Sequence, residues 1–227
     1  MIYITGDCHG KFEKLSEESF PEQRSMDKKD FVIITGDFGG VWEKDQEDEI
    51  EKQKLDWLEK LPFTTLFVDG NHENFDRLDA YPIETWHGGE VQRVRPSVIH
   101  LMRGQIFTID GASFFTFGGA TSPDKILRVD HLSWWERELP SQDEMDEGLR
   151  NLAAHHNKVD VIITHCCAAS TQILIGGIGY KLDYLTDYFE KIRQTVFFKR
   201  WYFGHYHANV KISHQEIVLY QAIIKLC

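Results

Sequence analysis

Five short runs of apolar and β-branched residues punctuate the chain, and each stops abruptly at a polar cluster. Ile2-Tyr3-Ile4-Thr5 stops at Gly6-Asp7-Cys8-His9-Gly10, and Phe31-Val32-Ile33-Ile34-Thr35 at Gly36-Asp37-Phe38-Gly39-Gly40. Thr65-Leu66-Phe67-Val68 stops at Asp69-Gly70-Asn71-His72-Glu73. Val161-Ile162-Ile163-Thr164 stops at His165, and Trp201-Tyr202-Phe203 at Gly204-His205-Tyr206-His207. Near-continuous apolar character predicts strands buried on both faces, in a sheet covered by helices or by a second sheet. Helical segments between the first runs make the class α/β, with parallel pairing and right-handed crossovers. Residues 43–60 carry acids early and lysines late, the polarity a helix dipole favours. Ile50, Trp57, Leu58 and Leu61 mark the stripe expected to be buried there, with Leu55 off it.

The middle of the chain reads differently. Segments near 91–94, 98–101, 105–109 and 113–117 are short strands separated by turns such as Arg103-Gly104 and Asp110-Gly111, hence antiparallel hairpins. Residues 119–140 lose periodicity and form a long loop or cap. Ser141 with Glu144 makes a capping box that opens a helix through about residue 154. Residues 181–192 read as another helix and 208–225 as two closing strands. The glycine-rich stretch Ile175 to Gly179 lacks the spacing of a P-loop or dinucleotide fingerprint, and is expected to be a mobile loop. No repeat or linker interrupts the 227 residues, so one domain over 1–227 is expected, with an insertion around 119–140.

Charge narrows the partners. With 25 basic and 36 acidic residues the net charge is −11, which repels duplex nucleic acid and gives no reason to sit on an anionic membrane. No stretch approaches the roughly 20 apolar residues of a spanning helix, and the first residues lack the basic and apolar regions of a secretory signal. The four cysteines, two of them adjacent (Cys166, Cys167) and one at the end (Cys227), show no framework spacing. Free thiols in a reducing, cytoplasmic compartment are the expectation.

Polar side chains at the carboxyl ends of parallel strands converge on one crevice. Here the strand ends deliver Asp-x-His, Asp, Asn-His, His and His-x-His. That mixed nitrogen and oxygen set suits Mn, Fe, Ni or Zn rather than Ca, which prefers all-oxygen cages. Seven groups exceed one tetrahedral site and suit two metals that share a carboxylate.

These five motifs, in this order and spread from residue 6 to residue 207, resemble those of the calcineurin-like metallophosphoesterases of the small bacterial or phage type. The resemblance implies a four-layer sandwich of two mixed β-sheets flanked by α-helices. It assigns Asp7, His9 and His207 to one divalent metal ion and Asn71, His165 and His205 to the other, with Asp37 bridging. Manganese is the expected metal, with Fe, Zn and Ni as alternatives. Two dications roughly 3.5–4 Å apart turn a bridging water into hydroxide for in-line attack on phosphorus. His72 would then protonate the departing oxygen or stabilise its charge. About one net positive charge would remain in the site, enough to draw a small or nucleotide-like phosphate ester, diester or monoester, into an acidic protein. The second motif, Gly-Asp-Phe-Gly-Gly, lacks the Asp-Arg-Gly extension of protein Ser/Thr phosphatases, which argues against that activity. Cys166-Cys167 follow His165 where many relatives have proline.

Singly, each motif is also a plausible strand-end turn held by local hydrogen bonds. The ordered set is what carries the metal reading. Lys125 and Arg128 either clamp a phosphate from one helical face or form a solvated surface pair. Trp134-Trp135 either pack inward or stack on a base or sugar. A nuclease on short single strands and a non-catalytic binding scaffold on the same fold are the competing functions.

Overall fold

The computed structural model describes residues 1–176 and 179–226. In its first sheet lie β1 (Ile2–Thr5), β2 (Phe31–Ile34), β3 (Thr64–Phe67), β4 (Ile83–Trp86), β5 (Gly89–Arg95) and β6 (Val98–Leu101). The second holds β7 (Gln105–Ile109), β8 (Ala112–Phe117), β9 (Val161–Thr164), β10 (Arg200–Phe203), β11 (Val210–Lys211) and β12 (Glu216–Val218). β13 (Ile223–Lys225) returns to the first. The orders are β13-β1-β2-β3-β6-β5-β4 and β11-β12-β10-β9-β8-β7. Both sheets are mixed. β1, β2, β3 and β6 pair in parallel, as do β8, β9, β10 and β12, while the outer strands join by antiparallel pairing. The helices are α1 (Glu49–Lys60), α2 (Phe75–Leu78), α3 (Gln142–Ala154), α4 (Ala169–Ile175) and α5 (Tyr184–Thr195).

The two-residue period of a strand explains why apolar runs are needed. Ile2, Ile4, Phe31, Ile33 and Leu66 point inward and meet Phe107, Phe114, Val161 and Ile163 of the other sheet. Their neighbours Tyr3, Val32, Ile34 and Phe67 point outward and pack with Leu55 and Leu58 of α1. Beyond the second sheet, Phe115, Phe117, Ile162, Trp201 and Phe203 meet Leu152 of α3 and Leu185, Phe189 and Ile192 of α5. The layers are helix, sheet, sheet, helix, as expected. Fully burying one such side chain contributes about 1.5–3 kcal/mol.

Several boundaries move. α1 begins at Glu49, not at residue 43, because Asp48 caps it by accepting from the Glu51 amide. Its buried face is Glu51, Leu55 and Leu58. Leu58 and Leu61 are buried as the stripe read from the sequence requires, but Leu55 is fully buried too, whereas Ile50 is 63% exposed and Trp57 36%, so the buried face is rotated toward Leu55. The reason is Glu51, a charged residue on the inner face that Arg77 neutralises with two hydrogen bonds. No α-helix separates β1 from β2; two 3-10 turns, Glu13–Leu15 and Pro21–Ser25, stand there. The expected hairpins form, but the chain changes sheets between β6 and β7. Three short strands close the chain rather than two, and the last crosses back to β1. The Ser141 capping box opens α3 as expected, and α5 starts later, after the Asp183 cap, and runs to Thr195. Residues 119–140 hold two 3-10 turns, Lys125–Leu127 and Glu136–Glu138, and no α-helix. Gly177 and Ile178 of the glycine-rich stretch, and Cys227, lie outside the described residues. Cys8, Cys166 and Cys167 are free and buried. Among the described residues no helix is long and apolar enough to cross a membrane.

Candidate metal centre

Parallel strands from both sheets end on the same side of the sandwich, so loops after β1, β2, β3, β9 and β10 meet there. The structure brings together all seven residues expected to bind metal. His207 Nε2 lies 3.2 Å from Asp7 Oδ2. His9 Nε2 is 3.0 Å from His207 Nε2 and 3.8 Å from the same Asp7 oxygen. Asp37 stands between the two groups: one oxygen is 3.6 Å from His9 Nδ1, the other 3.2 Å from His165 Nε2. Asn71 Oδ1 is 3.2 Å from His165 Nε2, and the His205 ring lies edge-on to His165 with centroids 5.0 Å apart. Donor atoms of Asp7, His9 and His207 lie within 4.8 Å of one another, as do those of Asp7, Asp37 and His165. A third such group joins His9 and Asp37 to His72, which the sequence had placed outside the ligand set.

The loops pay for this convergence in backbone strain. His9 (φ 50°), Asp37 (φ 46°), His205 (φ 67°) and His207 (φ 47°) all adopt the left-handed region. For a residue other than glycine that costs about 1–3 kcal/mol each, and such strain gathers at functional sites. Two glycines permit the close approach. A Cβ on Gly70 would stand 2.1 Å from Asp37 Oδ1, and one on Gly204 2.0 Å from Asp7 Oδ1. Without them the carboxylates could not accept from backbone amides, as Asp37 does from Asn71 and His72 (both 2.8 Å) and Asp7 from His205 (3.0 Å).

Electrostatics test whether a cation fits. Asp7 and Asp37 are 1% and 2% exposed, and among the described residues no lysine or arginine side chain pairs with either carboxylate. The positive charge they require comes from histidine instead. Burial opposes a proton on His165, but the Asp37 charge and hydrogen bond push its pKa up to about 9. Burial and the neighbouring His165 drive His205 down to about 3, so its ring is a neutral donor. Two buried carboxylates and neutral imidazoles aimed at one point, with the charge deficit met by a proton, match the demand of divalent cations. The site fits them.

Further residues brace the cage. Buried Glu73 accepts from the amides of Phe38 (2.7 Å) and Gly39 (3.1 Å), holding the loop that carries Asp37. Burial and the Asp37 charge push the Glu73 carboxyl well above the usual range. Lys14 donates to the carbonyls of Gly6, Asp7 and Tyr220, clasping the loop after β1. Asn71 Nδ2 donates to Ser122 Oγ (3.2 Å), which donates to Glu138 Oε2 (2.6 Å). That chain fixes the amide so that its oxygen faces His165. Glu73 lies within the third strand-end motif, but nothing in the sequence gives it a role, nor one to Ser122, Glu138 or Lys14. The signal for the last three is tertiary.

His72 and Arg128 sit at the rim. The Arg128 guanidinium donates to His72 Nε2 at 2.7 Å and pairs with Asp124. Burial, then the Arg128 charge, hold His72 below its ordinary pKa against the pull of Asp37, so the imidazole is neutral at pH 7. Lys125 does not join Arg128; its ammonium lies 3.7 Å from the centre of the Trp134 ring. Trp135 packs inward, 2% exposed, with its indole N–H on Asp76.

Residues 1–209 match the family model described as Calcineurin-like phosphoesterase. The chain belongs to that family. It is also similar to lariat debranching enzyme A of Xenopus laevis, with 30% identity over 97 residues, 37% of this chain. The match spans 18% of that relative's length.

Proposed function

We propose that the protein is a metal-dependent phosphoesterase working with two divalent cations, Asp7, His9 and His207 on one, Asn71, His165 and His205 on the other, Asp37 on both. The observation that carries this reading is the seven-residue convergence from five strand ends, with four of the seven residues in strained backbone. Bound cations supply an activated water and a Lewis-acid clamp on the phosphoryl oxygens. The chain's own residues do the rest. Arg128, always charged, faces the crevice and pairs with a phosphoryl oxygen once a substrate displaces it from His72. Neutral His72 gives its one N–H to the departing ester oxygen, stabilising the charge that develops there. Asp37 orients His72 through the backbone amide. Residues 1–227 act as one catalytic unit with 119–140 as a cap that delivers Arg128 and Ser122.

Manganese in a cytoplasmic setting, with a small phosphate ester rather than duplex nucleic acid or a membrane as partner, is the companion proposal. The relative named for lariat debranching favours a second reading, a nuclease on short single strands. Net charge of −11 weighs against it. Hydrolysis of a panel of nitrophenyl monoesters and diesters with Mn, Fe, Ni and Zn in parallel tests the first reading. Absence of hydrolysis by protein carrying two metals per chain overturns it. A steep loss of rate with salt on oligonucleotides favours the second.

A further inference from the structure

Two residues of the α1 stripe that the sequence assigned to the core, Ile50 and Trp57, are exposed, whereas Leu58 and Leu61 of the same stripe are buried. Ile50, Lys54 and Trp57 stand at i, i+4 and i+7, one stripe of a helix, and are exposed where Leu55 and Leu58 are buried. They border two adjoining depressions. A cleft of about 280 Å³ is lined by His9 and His72 of the metal centre together with Trp42, Ile50 and Lys54. A second, of about 590 Å³, shares Gly10, Ile50 and Lys54 with the first and continues along α1 to Trp57. The two make a groove that starts at the cage.

Its walls are specific in chemistry. Trp42 lies nearly parallel to the His72 ring, 27° apart with centroids at 6.0 Å, and is held edge-on by Trp135 at 5.8 Å. Trp42 and His72 both line the cleft, and exposed Ile50 belongs to the same lining. Lys54 is the only lysine or arginine among the lining residues of either depression. A Cβ on Gly10, the residue after His9, would stand 3.7 Å from its ammonium, so the cation lies at the cage end. Farther out the charged lining residues are Glu13 and Glu18. Of the two acids in the lining of the cage-end cleft, Glu51 is neutralised by Arg77 and Glu43 is exposed.

We propose that this groove receives one ester group of the substrate, and that the group is flat, aromatic and uncharged, on a phosphodiester carrying a single negative charge. Trp42 and Ile50, both in the lining, supply apolar contact for the aromatic body. Lys54 meets the phosphate's own charge at the cage end, and the acidic outer walls repel any second phosphate. The inference rests on the phosphoesterase reading for the direction of the substrate, yet it is tested by binding, not turnover.

Diphenyl phosphate and diethyl phosphate carry the same charge and differ in aromatic surface. Calorimetric titration into the metal-loaded protein is expected to give at least tenfold tighter binding for diphenyl phosphate. Trp42→Ala and Ile50→Glu, the latter on an exposed helical position, are each expected to shrink that ratio several-fold. Equal affinity of the wild type for the two diesters overturns the proposal, as does a ratio unchanged in both variants. Tighter binding of a single-stranded hexanucleotide than of diphenyl phosphate also overturns it. If the wild type binds diphenyl phosphate selectively but hydrolyses no ester, the groove stands and the phosphoesterase reading falls.

Discussion

Asp37 concentrates the chemistry of single residues in this protein. Its side chain accepts two backbone amides, faces two histidines and sits on a left-handed backbone. Asp37→Asn keeps the shape and one amide-accepting oxygen while removing the charge. Outer partners of metal ligands typically cost 10–100-fold when lost, so if Asp37 bridges as proposed its loss is expected to cost more than about 100-fold in turnover. Metal content measured by elemental analysis should fall below two per chain; full occupancy with full activity would remove Asp37 from the bridge. Arg128→Ala separates binding of metal from stabilisation of phosphate. Loss of one well-aimed donor is expected to lower kcat/KM on the order of 10²-fold, with metal content unchanged. At this scale much was legible. Each of the seven residues proposed as ligands was readable as a candidate because it follows an apolar run. Arg128 was only half readable, since its partnership with Lys125 dissolves once Lys125 lies on Trp134.

Elements show where a linear reading stops. β1, β2, β3, β9 and β10 were plain because both faces of each are buried, so apolarity was continuous. β4 was invisible: residues 83–85 are exposed and it borders the sheet. The buried face of α1 was read correctly at Leu58 and Leu61 but not at Ile50, Trp57 and Leu55, because a buried, paired glutamate looks like a surface residue in sequence. The segment 119–140 has no period at all, yet through Ser122 and Glu138 it orients Asn71. Ser122→Ala leaves the Asn71 amide without that partner and Glu138 buried with less to accept from. Metal titration should then show about 10–100-fold weaker binding of one of the two cations, restored by Ser122→Thr. A variant with two unchanged affinities would make the chain purely structural. Asp160 performs a comparable task between strands, accepting from the amide and hydroxyl of Ser113 (both 2.9 Å) just before β9. Lys199 and then Ser113 hold its pKa down at about 2, below the ordinary 3.8. Depressed in the folded state, it stabilises the fold above the ordinary value, and that contribution fades as pH falls through about 2. Asp160→Asn is therefore expected to lose about 1 kcal/mol at pH 7, discounted for exposed Lys199. Urea unfolding should show the gap from wild type closing toward pH 2; a gap constant with pH would assign the loss to packing.

For the whole molecule, the candidate metal centre lies on the seam between the two sheets. The first sheet supplies Asp7, His9, Asp37 and Asn71, and the second supplies His165, His205 and His207. Cations that bind there join the sheets and relieve the repulsion of two buried carboxylates, whereas the unfolded chain has no assembled cage. By mass action a ligand at 100 times its dissociation constant stabilises by about 2.7 kcal/mol. In a chain of this size 1 kcal/mol moves Tm by about 2–4 °C. Occupation of even one site is thus expected to raise Tm by about 5–10 °C. Scanning calorimetry of metal-loaded protein with and without chelator measures it, and Asp37→Asn serves as the control that should respond least. An unchanged Tm would mean that the seam is held by the apolar layer between the sheets alone. The strained loops of His9, Asp37, His205 and His207 would then be stable without the ions they converge on.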